Sequence, residues 1–277
     1  MNELIDLNIA LMDKAEGRLL GSLDDVEREL WRRVREILFE FKTESGYFVP
    51  DDMNAQVINS LKRELRAILK ASSFPSKVDD FLASFDEIGE NIQAIHSEMN
   101  EISVPKSLVN RQKKLAIANT IDNLLESNVS ARFVDPIKRS LYNHVNFGSG
   151  VLDAERDLRR AILGQGEEAG ILRRWVGQVA RDSIQQYEGG INRKVAEEFG
   201  LTDWIYVGPT GGNTRKQCER WMRIGTLRAQ DLQAEIEWAQ KNGSGMIPGT
   251  TPENFAVNRG GYNCRHSAYP TRNKSER

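Results

Sequence analysis

Cysteine is scarce. Cys218 and Cys264 are the only two in 277 residues, too few for a disulfide framework, and a chain of this length can bury a substantial apolar core without one. Long apolar runs are missing too. The stretch from Leu4 to Met12 already contains Asp6 and Asn8, so no segment is expected to span a membrane. The N-terminus lacks the basic region and charge-free block of a secretory signal, which makes the cytoplasm the expected compartment, with both cysteines reduced. Excess charge of one sign is absent as well. With 40 acidic and 38 basic residues the net charge is −2, so no global positive field draws the chain to nucleic acid or anionic lipid.

What is present is helical periodicity. Leu23, Val26, Leu30, Val34, Ile37, Leu38 and Phe41 recur at three- and four-residue spacing and form one apolar stripe, with Ser22, Asp24 and Asp25 suited to the positive end of that helix. Further stripes run through Val57, Leu61, Leu65, Ile68 and Leu69, through Phe81, Phe85, Ile88, Ile92 and Ile95, and through Leu115, Ile117, Ile121, Leu124 and Leu125. Breaks are expected at 47–50, 72–75, 104–105, 135–136 and 146–150, where proline or glycine interrupts the pattern. The run 149–163 gives another capped helix and 171–199 one or two more, with Gly189 and Gly190 marking a kink or break between them.

Composition shifts near Trp204. Residues 1–205 hold 4 Pro and 13 Gly, and the remaining 72 hold the other 4 Pro and 9 Gly. The expectation is a mainly α fold, with a multi-helix body over 1–205 that holds no sheet of more than two strands. A small loop-rich C-terminal module with little β follows over 206–277. Residues 204–207 alternate as a short strand, and 227–241 form a last helix presenting Leu232, Ile236 and Ala239 together.

The residues able to carry chemistry concentrate in TDWIYVGPTGGNTRKQCERW (202–221) and NRGGYNCRH (258–266). Cys264 and His266 stand at i and i+2, so extended backbone points both to one side, where Cys218 could join them. Three outcomes are open: packed thiols, a disulfide, or a Zn²⁺ site with a fourth ligand unassigned. All three require the sulfurs to lie within about 8 Å. A Cys264–His266 nucleophilic dyad is not expected, because residues two apart rarely reach hydrogen-bond geometry. Gly260 and Gly261 read as a turn requiring positive φ. Enzyme signatures fail: no H-E-x-x-H, Walker A loop or G-x-S-x-G occurs. His96-Ser97-Glu98 lacks its P-C-x-x-C partner, which leaves His96 as a solvent-facing helix residue and His144 as a helix-end residue.

The order W-x-Y-V-G-P, T-R-x-x-C, helix, Gly/Pro-rich loop, G-G-Y-N-C-R-H and a nearby proline resembles the C-terminal module of phage minor head proteins, the Mu F-like head morphogenesis family. Its positions here are Trp204, Tyr206, Val207, Gly208, Pro209, Thr214, Arg215, Cys218, Gly260, Gly261, Tyr262, Asn263, Cys264, Arg265, His266 and Pro270. The resemblance covers the last third of the chain. The helices from about residue 149 agree only in general pattern. Many members carry a second Cys near the first and another after the His, and this sequence has neither.

The resemblance implies a virion component present in few copies, made in the host cytoplasm and docked near the portal or on other head or neck proteins. It implies binding and not turnover, with a metal-dependent hydrolase or nuclease acting on DNA as the alternative. The sequence ends seven residues after Pro270, so no appended toxin or enzyme domain is expected. Arg156, Arg159, Arg160, Arg173 and Arg174, and a second group of Arg215, Lys216, Arg220, Arg223 and Arg228, could touch packaged DNA through phosphates without reading sequence.

Overall fold

Helical spacing of apolar residues governs most of the chain. In a computed structural model describing residues 2–126 and 128–272, the protein is mainly α-helical. After α1 (Asn2–Gly21), α2 (Leu23–Leu38) buries Leu23, Val26, Leu30, Val34, Ile37 and Leu38, as its stripe requires. Ser22 does not cap α2, and its hydroxyl donates to the Leu19 carbonyl at 2.7 Å instead. The expected interruption at 47–50 is a hairpin, β1 (Thr43–Glu44) and β2 (Tyr47–Phe48), turned by Ser45 and Gly46 at positive φ. Asp51 then caps α3 (Asp52–Ala71) by accepting from the Asn54 amide at 2.9 Å.

The long helix α4 (Phe74–Asn100) buries Phe81, Phe85, Ile88, Ile92 and Ile95. In α5 (Lys106–Leu124) the predicted stripe fails at Leu115, which is 62% exposed. The buried face is Leu108, Val109, Ala116, Thr120 and Leu124, a helical row hidden in the sequence by the polar Thr120. The break expected at 135–136 does not interrupt the helix. A π-helical turn, Ser130–Val134, runs straight into α6 (Asp135–Asn146), and Pro136 lies in the first turn of α6 beside that wider turn. His144 closes α6, 3.4 Å from Asp157. Then come α7 (Val151–Leu163), the hairpin β3 (Gly164–Gln165) and β4 (Glu168–Ala169), and α8 (Ile171–Phe199).

Helix α8 passes unbroken through Gly189 and Gly190, against expectation. A Cβ at Gly189 would stand 2.3 Å from the Ala256 carbonyl oxygen, and one at Gly190 2.6 Å from Gln112 Oε1. Gly189 therefore serves close approach to backbone, not a bend, whereas Gly190 faces only the movable end of the Gln112 side chain.

The C-terminal part contains β5 (Asp203–Val207), α9 (Lys216–Ile224), β6 (Thr226–Leu227), α10 (Ala229–Asn242), a 3₁₀ turn at Pro252–Asn254, α11 (Phe255–Asn258) and β7 (Ser267–Thr271). The strands form one antiparallel sheet ordered β6-β5-β7, with Trp204 opposite Pro270 and Tyr206 opposite Ala268. The strand reading of 204–207 thus holds, whereas α9, β6, the 3₁₀ turn, α11 and β7 come in addition to the expected elements. The two hairpins β1-β2 and β3-β4 are two-stranded, and β5, starting at Asp203, is the centre of the three-stranded sheet.

The chain divides into two compact units that interleave in sequence. One contains Met1–Ala15, Ala83–Asn119 and Ala180–Arg277, the other Glu16–Leu82 and Thr120–Val179. The boundary expected at 205/206 falls inside β5, and 206–277 shares its unit with the two earlier segments. In the second unit α2, α3, α6 and α7 pack on one another, and Arg33 binds Glu64 across α2 and α3 at 2.8 Å. Arg173 reaches the buried Glu27 at 2.8 Å and the Leu20 carbonyl at 3.0 Å.

In the first unit, β7 is an edge strand whose outer carbonyls are taken up by side chains. Asn192 of α8 donates to the Ala268 carbonyl at 3.0 Å, and Asn100 of α4 donates to the Pro270 carbonyl at 2.9 Å. Proline is tolerated at 270 because its missing donor lies on this outer side. His96, expected to face solvent, is fully buried between these two asparagines. Its Nε2 lies 2.8 Å from Asn192 Oδ1 and its Nδ1 3.4 Å from Asn100 Nδ2, and the Tyr269 ring packs edge-on at 6.3 Å.

Burial outweighs the Asn192 hydrogen bond and pushes His96 down to about 4 from its ordinary 6.5. A depressed histidine stabilises the fold while neutral. As pH falls from 6.5 toward 4 the unfolded chain takes up a proton that the folded one refuses, which costs on the order of 3 kcal/mol at the acid end. His96→Gln should remove this component. Chemical denaturation across that window should show a flatter loss for the variant, and identical slopes would refute the assignment.

Candidate functional site

Strand β5 alternates, so Trp204 and Tyr206 share one face while Asp203 and Ile205 take the other. Asp203 Oδ1 accepts the Ala229 amide at 2.9 Å and thereby holds the first turn of α10. Tyr206 meets Trp221 edge-on at 5.2 Å, and Phe255 closes the aromatic group at 5.2 Å from Trp221 and 6.1 Å from Trp204. One turn before Trp221 on α9, Cys218 is carried to the tip of Tyr206. The hydroxyl of Tyr206 lies 3.4 Å from Cys218 Sγ and 3.3 Å from Cys264 Sγ.

The two sulfurs stand 3.9 Å apart, and both cysteines are free thiols, buried. They meet the proximity requirement without being bonded. Cys264 Sγ also lies 3.6 Å from His266 Nδ1, so the i, i+2 pair does reach hydrogen-bond geometry, contrary to expectation. Asn263, just before Cys264, takes φ +56. The His266 ring stacks on Tyr206 at 5.4 Å, nearly parallel, and its Nε2 is buried with no hydrogen-bond partner among the described residues.

Contact between the thiols splits their acidities. The hydrogen bond from Cys218 holds Cys264 well below the usual thiol range, with His266 and Arg259 adding to the effect, and the donor Cys218 is pushed up correspondingly. Burial, with the sulfurs adding to it, raises the Tyr206 phenol.

Glycine is dictated at two further motif positions by space. A Cβ on Gly260 would stand 2.4 Å from Cys218 Sγ and 2.9 Å from both Cys264 Sγ and Tyr206 Oη. A Cβ on Gly208 would meet His266 Cδ2 at 2.6 Å. The positive-φ reading holds for Gly261, at +102, but not for Gly260, which is there to let the sulfurs close in.

Arg215 fastens the loop. It donates to the Gly260 carbonyl at 2.9 Å and to the Tyr262 carbonyl, and the buried Gln217 donates to Gly260 and Ser244 at 3.0 and 2.7 Å. Thr214 Oγ1 accepts the Gly211 amide at 2.8 Å. Cys218, Cys264 and His266 floor a cleft of about 470 Å³ whose rim includes Pro209, Thr214, Asn263 and Arg265. Tyr262 is exposed, whereas Trp204 and Pro270 lie in the sheet away from the sulfurs.

Compared with protein-family models, curated proteins and solved structures, the chain matches none.

Sequence reasoning missed Gln217, Glu188 and Arg259. Glu188 is fully buried on α8 and accepts from Tyr269 and Ser267 hydroxyls at 2.6 Å and from Asn8 at 2.8 Å, with Arg259 Nη1 at 3.6 Å. Its signal was available, since one acid sits among Ile184, Ile191 and Val195 on an apolar helical row. Arg259 and Gln217 carry no such mark.

Most arginines nominated for phosphate contact face carboxylates of their own chain. Arg156 pairs with Asp153 at 2.9 Å, Arg160 and Arg174 with Glu168 at 2.8 and 2.9 Å, and Arg220 with Glu235 through two bonds of 2.7 Å. Arg220 also lies 4.5 Å over the Trp238 ring.

Proposed function

We propose that this chain is a minor structural protein of a tailed-phage head, docking near the portal and acting by binding. The observation that carries this reading is convergence. Residues of the motif that resembles the Mu F-like module, spread from 206 to 266, meet in a single packed knot of Tyr206, Gly208, Arg215, Cys218, Gly260, Cys264 and His266. A hydrolase or nuclease is less well supported. Metal-assisted hydrolysis calls on a carboxylate or comparable base beside the reacting water, and no Asp or Glu is among the described residues lining the cleft. A docking face is also at hand in the second unit. Tyr47, Phe147 and Leu152 are exposed around the backbone bonds joining 46–48 to 149–151, with Phe147 and Leu152 each 78% exposed.

Mass spectrometry of purified particles of the encoding phage tests the proposal. The chain should appear at a fixed, low copy number relative to the major shell protein, and its absence from filled heads would overturn the reading. Contact with packaged DNA should be weak and sequence-independent, because most of the candidate arginines are already neutralised. Filter binding should lose at least about tenfold in affinity between 50 and 200 mM salt. Tight, sequence-selective binding that survives that change would contradict the structural role.

A further inference from the structure

We infer that Cys218, Cys264 and His266 form a zinc site with three protein ligands and a fourth position open to the cleft. Tetrahedral Zn²⁺ with Zn–S of ~2.3 Å and Zn–N of ~2.0–2.1 Å requires edges of about 3.8 Å between two sulfurs and about 3.6 Å between sulfur and nitrogen. The protein presents 3.9 Å from Cys218 Sγ to Cys264 Sγ and 3.6 Å from Cys264 Sγ to His266 Nδ1, with all three residues' ligand atoms within 4.8 Å of one another. Neither of the other outcomes needs this arrangement. Packed thiols account for one hydrogen bond between Cys264 and His266 but do not call for two sulfurs and a nitrogen at tetrahedral edge lengths, and a disulfide would draw the sulfurs to ~2.05 Å.

The surroundings fix which side the ion occupies. Tyr206 reaches both sulfurs but does not line the cleft, whereas both cysteines and His266 do. The phenol therefore hydrogen-bonds the thiolates from the buried side and orients them, as outer-shell donors do at metal centres. The ion enters from the cleft, and the thiol protons leave to solvent as it binds. With two thiolates and a neutral imidazole the centre carries no net charge. Its exchangeable fourth position faces Thr210, Asn213, Thr214, Asn263 and Arg265, a polar and carboxylate-free lining that suits an incoming oxygen ligand better than hydrolysis.

Metal analysis of the purified full-length chain should give close to one zinc per molecule. Replacement by Co²⁺ alone should produce tetrahedral ligand-field bands and thiolate-to-cobalt charge transfer. Added azide should shift those bands if the fourth position is open, and an unchanged spectrum would overturn the open coordination. Cys264→Ser should abolish the charge-transfer band or weaken Co²⁺ binding by at least about tenfold. Because that variant could fail to fold, His266→Cys provides an independent reading. With three thiolates in place of two, its charge-transfer band should rise about 1.5-fold. Wild-type protein that takes up no metal, or whose sulfurs are found joined as a disulfide when purified under reducing conditions, overturns the site, and a His266→Cys band no stronger than wild type removes His266 from it. The result is independent of whether the chain is found in virions.

Discussion

Glu188→Ala should destabilise the protein by roughly 3–5 kcal/mol, the scale for removing one partner of a buried ion pair. Three donors converge on this carboxylate, the hydroxyls of Tyr269 and Ser267 and the amide of Asn8, and the buried Arg259 lies 3.6 Å away. Deleting the acceptor leaves all of them without it. Arg259 is the costliest, because its Nε and Nη1 make no hydrogen bond among the described residues and the side chain is 4% exposed. Glu188→Gln keeps the shape but removes the anion, and should fall between wild type and alanine. The double variant Glu188→Gln with Arg259→Met should cost less than the sum of its parts, since each change relieves the other's unpaired charge. Urea denaturation checks this, and a Glu188→Ala cost below about 1 kcal/mol would mean that the buried charge is solvated by some route other than these partners.

Trp221→Ala comes next, at roughly 3–5 kcal/mol for a fully buried indole whose space cannot refill. Its ring fills the gap between Tyr206 and Phe255, 5.2 Å from each, so its loss frees both neighbours. It also loosens α9 one turn after Cys218. Trp221→Phe, which keeps an apolar ring, should recover more than half of the lost stability. Thermal unfolding measures both, and a Trp221→Ala protein as stable as wild type would show that the knot is held by its loop contacts alone.

Much of the helical body is legible in the sequence because burial enforces a period. The apolar rows on α2 and α4 can be read from spacing, although polar residues are buried beside them, Glu27 on α2 and Asn91, His96 and Asn100 on α4. The row on α5 misleads because Thr120 occupies one of its buried positions and the more hydrophobic Leu115 points outward. His96 misleads for a related reason: a histidine on an apolar helix is buried only if partners exist, and those partners, Asn192 and Asn100, lie 96 residues away and one turn away. Glycine misleads twice in the same sense. Gly189 and Gly260 both look like conformational signals and are both space requirements, set by Ala256 and by the sulfurs, which sequence position cannot reveal. The site itself is half visible. Two cysteines and a histidine can be nominated by type, but the S–S distance depends on how α9 docks on β5, and Arg215 and Gln217 act through the loop carbonyls that they capture.

Binding at the portal vertex is the claim on which the functional reading rests, and a cryo-EM reconstruction of the encoding phage's intact head, computed without imposed icosahedral symmetry, tests it most directly. The account predicts density at or inside the portal vertex into which α2, α3, α6 and α7 fit as one packed group. Well-resolved portal and neck density that leaves no volume for this chain would contradict it.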